Sequence, residues 1–249
     1  MWSFGALCDS FFVSTRLQFK LDLAPGRETL LHFMEQMRRK HATLRRFRRR
    51  DDGAVVLDEE DAGGRARRFL RLDGSSLKFG TCDPDSPEQV QEYAETVLKL
   101  APCHLSLSEL DYDHIETIIG FDLEYCGNHD ELIAESLFGA HPLLQTLAGS
   151  DRRVIECQPC FGVALNEACD LQAYVEVRSR TSTCEVRADE YSAAALSVFA
   201  TVRRYWDVGA GLDLCDVHRT LLSTAATLAE DRVVPSVVRP LAEAIGSRQ

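Results

Sequence analysis

Three groups of side chains in this sequence have types and spacings that could do chemistry. The first is cationic. Arg38, Arg39, Lys40, Arg45, Arg46, Arg48, Arg49 and Arg50 crowd together, and Arg65, Arg67, Arg68 and Arg71 follow. Such a run suits a polyanion, an acidic protein surface or a localisation tract. The second is Cys157-Gln-Pro-Cys160, which has the spacing of a metal or redox pair. The third is His114 with Glu116, two residue types used in general acid-base catalysis.

The arginines depend on the turn between them. Segments 45–50 and 54–60 flank Asp52-Gly53, a dipeptide that favours a two-residue hairpin turn. That register sets Arg46 against Glu59 and Arg45 against Glu60, pairs worth from a few tenths to about 1 kcal/mol each. It leaves Arg48, Arg49 and Arg50 opposite Leu57, Val56 and Val55, with no acid directly across. These three, with Arg67 and Arg71, form the expected anion- or partner-binding set. No aromatic interleaving of the kind single-strand binders use is present, since Phe47 and Phe69 stand apart.

The cysteine pair sits in a segment that reads as a strand, 154–165, where residues three apart point to opposite faces. Cys157 then shares an apolar face with Ile155, Phe161 and Val163, while Cys160 looks away. No helix follows, as a thioredoxin-type pair requires, and no second such pair completes a zinc ribbon. A zinc site would have to borrow Cys126 with His129 or Cys215 with His218. Buried free thiols are the expectation, with no metal and no cofactor.

His114 and Glu116 belong to a long strand over 113–125. Ile115, Thr117, Ile119, Phe121, Leu123 and Tyr125 alternate inward; His114, Glu116, Asp122 and Glu124 alternate outward. A sheet face half in water explains the outward set, and metal-assisted hydrolysis by His114 and Glu116 is the catalytic alternative.

The remaining elements supply the frame. Period-two alternation predicts a strand over 11–23, and a helix follows with Leu30, Phe33, Met34 and Met37 on one face. A turn at Gly63-Gly64 and strands over 66–72 and 75–81, joined at Asp73-Gly74, complete a meander over 44–81. A helix over 88–100 follows. Asn128 with Glu131 resembles a helix start, running to Phe138, and a short helix spans 142–147. A strand over 171–178 pairs with 154–165, with 183–187 adjacent as a further strand. Residues 194–206 fit both periods and are read as a strand; helices over 213–229 and 235–245 close the chain. This is an α+β fold, a largely antiparallel sheet built from hairpins with flanking helices, two of them C-terminal, and it suggests ferredoxin-like halves. The best break falls between 1–149 and 150–249, unless the two form one continuous domain.

Composition narrows the function classes. The chain has 249 residues, 45% hydrophobic and 27% charged, which excludes a disordered or fibrous protein. Its net charge is −11, yet residues 38–71 carry 12 basic and 6 acidic side chains, leaving 16 against 33 elsewhere. An acidic body repels phosphate backbones, so nucleic acid ranks below an acidic protein or a second copy as partner of the basic ribbon. Nine scattered cysteines do not form a secreted disulfide framework, and the first residues lack a basic signal-peptide region. No apolar run approaches the roughly 18 residues of a spanning helix. A cytoplasmic location away from membranes is therefore expected. Nucleophile-elbow, phosphate-loop, dinucleotide and zinc-protease motifs are absent. The expected function is non-catalytic binding or assembly through the arginine hairpin.

Overall fold

Alternation along the first strand builds the centre of the molecule. In β1 (Ser10–Phe19), Phe11, Val13, Thr15, Leu17 and Phe19 are buried on one face, and Arg16 and Gln18 project from the other. The computed structural model describes residues 2, 4, 7–23, 25–60, 67–147 and 152–248. The strand stops at Phe19 rather than 23, and Leu21 is exposed.

After β1 the chain forms helix α1 (Arg27–Lys40), which buries Phe33, Met34 and Met37. A meander follows: β2 (Leu44–Arg49), β3 (Val55–Glu59), β4 (Arg67–Leu72) and β5 (Ser76–Cys82). Strand β5 returns to pair antiparallel with β1, and helix α2 (Pro87–Leu105) ends this half under a Ser86 cap. The second half repeats the plan. It runs β6 (Tyr112–Tyr125), helices α3 (His129–Phe138) and α4 (Pro142–Leu147), then β7 (Cys160–Ala164), β8 (Leu171–Arg178), α5 (Thr183–Ala188) and β9 (Ala194–Tyr205). Strand β9 returns to β6, and α6 (Leu214–Leu228), a π-helical stretch (Ala229–Val238) and α7 (Arg239–Gly246) finish the chain.

The two halves join through antiparallel pairing of β1 with β6, giving one nine-stranded sheet in the order β2-β3-β4-β5-β1-β6-β9-β8-β7. Each half is a long strand, a helical segment, a meander returning to that strand, and a helix, a longer meander than a ferredoxin-like unit has. One core of buried apolar residues runs through both halves between the sheet and its helices. The expected break at 149/150 and the Gly63-Gly64 turn lie outside the described residues. Among the described residues, no helix is long and apolar enough to cross a membrane.

Several local expectations are corrected. Residues 183–187 are helical, because Ser182 and Glu185 make a reciprocal capping box that nucleates a turn. The strand expected over 154–165 is confined to Cys160–Ala164, and it is the sheet's last strand. Ile155, Phe161 and Val163, expected to face the core, are exposed there. Residues 194–205 are a strand, held on both sides by β6 and β8. Of nine free cysteines only Cys8 and Cys215 are buried; Cys103, Cys126, Cys160, Cys169 and Cys184 lie exposed.

Candidate anion-binding groove on the open face of the sheet

The helices cover one face of the sheet, and side chains alone furnish the other. Strand register brings distant residues into one row across this open face. Arg48 pairs with Val56, Val56 with Arg71, Arg71 with Lys78 and Lys78 with Arg16. Arg16 pairs with Glu116, and Glu116 with Arg203. Arg71, Lys78 and Arg16 are thus three cations directly opposed on three adjacent strands. Like charges so placed are destabilising in a sheet, so the row departs from what folding alone favours.

This row crosses a groove of about 610 Å³. Its aromatic surface comes from Phe12, Phe199 and Tyr174. Arg178 lies over the Phe199 ring at 5.3 Å, and Arg203 over Tyr174 at 5.2 Å. Six basic side chains line the groove (Arg16, Arg71, Lys78, Arg178, Arg180 and Arg203) against four acidic ones (Asp73, Glu116, Asp122 and Glu176). The local excess is positive in a protein of net charge −11.

Ion pairing distributes that excess unevenly. Glu116, only 3% exposed, accepts from Arg203 Nε at 2.9 Å and Nη2 at 2.6 Å, and lies 3.9 Å from Arg16 Nη1. Arg178 pairs with Glu176 at 2.7 Å. Arg71 reaches Asp52 at 2.6 Å and Asp73 at 3.7 Å. Among the described residues, Lys78 has no carboxylate within ion-pair distance. Burial is the main force lowering its amine pKa, and Arg16 and Arg71 push the same way while Glu116 opposes them.

The hairpin arginines are placed differently from expectation. The β2–β3 register sets Arg46 against Asp58, Arg48 against Val56 and Arg49 against Val55, one residue off the predicted pairing. The cause is the turn. Backbone N–H of Arg50 donates to Ala54 O and that of Gly53 to Arg50 O, enclosing Asp51, Asp52 and Gly53, of which Gly53 alone has positive φ (+85°). This is a three-residue loop ending in a left-handed glycine, where the sequence suggested two residues. The shift hands Arg48 an acid: Asp58 binds it at 2.5 Å and Arg46 at 2.8 Å. Burial works to raise the Asp58 pKa, and the two guanidinium groups outweigh it, holding the carboxyl below its ordinary value.

Alternation also splits the expected cluster. Arg48 shares the open face with Arg71, whereas Arg49 turns to the helix side and lines an apolar crevice with Leu30, Leu31 and Phe47. Arg50 stands at the turn, and Arg67 is opposite Cys82 in β4. Of the five predicted site residues, Arg71 alone lines the groove. Sequence reasoning missed Arg16, Lys78 and Arg203; their outward positions on strands were readable, their convergence was not.

The other candidates resolve through their partners. Nδ1 of His114 lies 2.8 Å from Asp113, and Nε2 is 3.8 Å from Glu116. Burial lowers the His114 pKa and the Asp113 hydrogen bond opposes it. The outward face of β6 is not half solvated at these positions, because side chains from neighbouring strands cover it: His114 is 8% exposed and Glu116 is 3% exposed. His129 accepts from Arg180 N–H at Nδ1 (3.2 Å) and contacts Tyr125 O through Nε2 (3.2 Å). His218 is held by Gln91 at 3.0 Å and Thr15 at 2.9 Å. Both histidines of the Cys-x-x-His pairs therefore use both ring nitrogens within the protein. Among the described residues, no three His, Cys, Asp or Glu side chains are grouped to hold a metal ion. Cys157 packs against the core while Cys160 lines the groove.

No protein-family model matches this chain, and no curated protein matches it in sequence.

Proposed function

We propose that this protein is a binding protein whose open sheet face takes up a carboxylate- or phosphate-bearing partner. One observation carries the reading: Arg71, Lys78 and Arg16 are directly opposed across three strands, and among the described residues Lys78 has no acidic neighbour in ion-pair reach. An anionic group laid over this row would relieve the repulsion among the three cations and supply the missing counter-charge. The groove's size falls in the range of about 300–1,000 Å³ typical of ligand sites, and its aromatic walls offer apolar contact to the ligand's body. The expected binding or assembly role is retained, and its seat moves from the hairpin arginines to the groove.

The test is a titration with two anionic probes, a fluorescein-labelled oligoglutamate peptide and inorganic phosphate, which separate an acidic segment from a small anion. Binding of either supports the reading if Lys78→Glu weakens it by about tenfold or more at low ionic strength. The double variant Arg49→Glu/Arg50→Glu should change affinity by less than about twofold. Loss of binding in the hairpin variant with retention in Lys78→Glu would place the site on the hairpin instead. Binding of neither probe would overturn the proposal.

A further inference from the structure

Lys78 is the one lysine among the six basic side chains that line the groove. The chain has four lysines, Lys20, Lys40, Lys78 and Lys99, among 28 basic residues. Lys99 is held by Glu95 at 3.0 Å. Lys20 and Lys40 are exposed. Only Lys78 lines the groove, between Arg71 on β4 and Arg16 on β1. For holding an anion, arginine would serve at least as well, with more donors and a planar fork. What a lysine adds is an amine that can shed its proton when it is desolvated and surrounded by cations. The charged groups that act most on Lys78 are Arg16, Glu116, Arg71 and Arg178, and Glu116 is engaged by Arg203; Arg180, Asp73, Asp122 and Glu176 complete the groove's charged lining.

We propose that Lys78 captures an anionic carbonyl compound, an aldehyde or 2-oxo acid bearing a carboxylate or phosphate, as a reversible imine. The inference rests on the groove being an anion site. Arg16 and Arg71 flank the amine, so an anion held by either brings the adjoining carbonyl carbon to Lys78 Nζ. The neutral amine adds to that carbon and forms the C–N bond. The carbonyl oxygen departs as water with the two amine protons, leaving C=N; no electrons are gained or lost. Phe12, Phe199 and Tyr174 supply apolar walls for the ligand's body.

Pyridoxal phosphate is a suitable probe, with pyridoxine phosphate, which carries an alcohol in place of the aldehyde, as its non-reactive partner. The wild-type protein is incubated with the aldehyde, reduced with borohydride and mapped by peptide mass, while pyridoxine phosphate binding is measured by calorimetry. The reduced adduct is expected on Lys78 in about tenfold or greater excess over each other lysine. Lys78→Arg, which keeps the positive charge but has no amine able to form an imine, should lose the adduct. Pyridoxine phosphate binding with the adduct spread over Lys20, Lys40 and Lys99 would overturn the imine and leave the anion groove standing. Failure of both compounds to bind would overturn the imine, and the titration with oligoglutamate and inorganic phosphate then decides the anion groove separately. Mapping the unmodified sequence requires no variant to fold.

Discussion

The β2–β3 hairpin and the Arg71–Lys78–Arg16 row belong to the same sheet, and both are rich in cations. In the hairpin two of the charges are answered by one carboxylate across the strand pair. Arg46 and Arg48 share Asp58, and Arg68 on the adjoining strand meets Glu59 at 3.4 Å. The Arg46 and Arg48 side chains are half exposed, so water screens what remains. In the groove the charges stand on strands from separate parts of the chain and lie partly buried. Glu116 balances Arg203 and Arg16, Arg71 leans on Asp52 and Asp73, and among the described residues Lys78 is left without an ion pair. A count of arginines therefore does not measure how each region's charge is balanced. What separates the two regions is a charge at partial burial, where solvent substitutes poorly for a partner.

The contrast can be tested first through the carboxylates that do the balancing. Glu116→Ala strands Arg203 on a largely buried face and should cost about 3 kcal/mol, read as a lower urea midpoint. An unchanged midpoint would mean that the groove charges are as well hydrated as those of the hairpin.

A smaller effect separates folding from binding on β1, whose covered face holds Thr15 against His218. Burial lowers the His218 pKa to about 4. The unfolded chain takes up a proton at this histidine below about pH 6.5, and the folded protein does not until about pH 4. Stability from this site is thus complete above pH 6.5 and is lost as pH falls toward 4. Between pH 7.5 and 5 the loss should be about 2 kcal/mol. His218→Gln, which can still bond Thr15 and Gln91, should flatten that part of the profile; an equally steep profile in the variant would assign the acid sensitivity elsewhere. Buried His114 and His129 are displaced in the same direction, chiefly by burial, and steepen the same window.

The smallest effect belongs to the hairpin. Asp58→Ala releases two half-exposed guanidinium groups and should cost about 1 kcal/mol, measured in the same denaturation series. A loss as large as that of Glu116→Ala would erase the distinction between the two regions.

Much of the frame was legible. The alternation of Phe11, Val13, Thr15, Leu17 and Phe19 and of the inward residues of β6 follows from a pleated strand with one buried face, and the structure buries those residues, Tyr125 only in part. Asn128 caps α3, accepting from the N–H groups of Asp130 and Glu131, as its spacing suggests. The β2–β3 register was not legible, because two- and three-residue turns both accept Asp-Gly. One residue of slip moves every side chain to the other face. The short α5 was missed because its apolar spacing is weak and its start lies in the Ser182–Glu185 cap rather than in periodicity.

The chain's own order of residues determined the α+β class, the hairpin-built sheet and the two closing helices, since these depend on local period, turns and caps. It also determined that basic charge gathers near residues 38–71. Only the tertiary structure decided which cations act together. Arg16, Lys78, Glu116 and Arg203 meet through the pairings β1–β5, β1–β6 and β6–β9, and those pairings are set by packing of the covered face far along the chain. Local sequence carries the alternation that aims each side chain outward. The neighbours it finds there are chosen by strand order and register, which no short stretch of residues specifies.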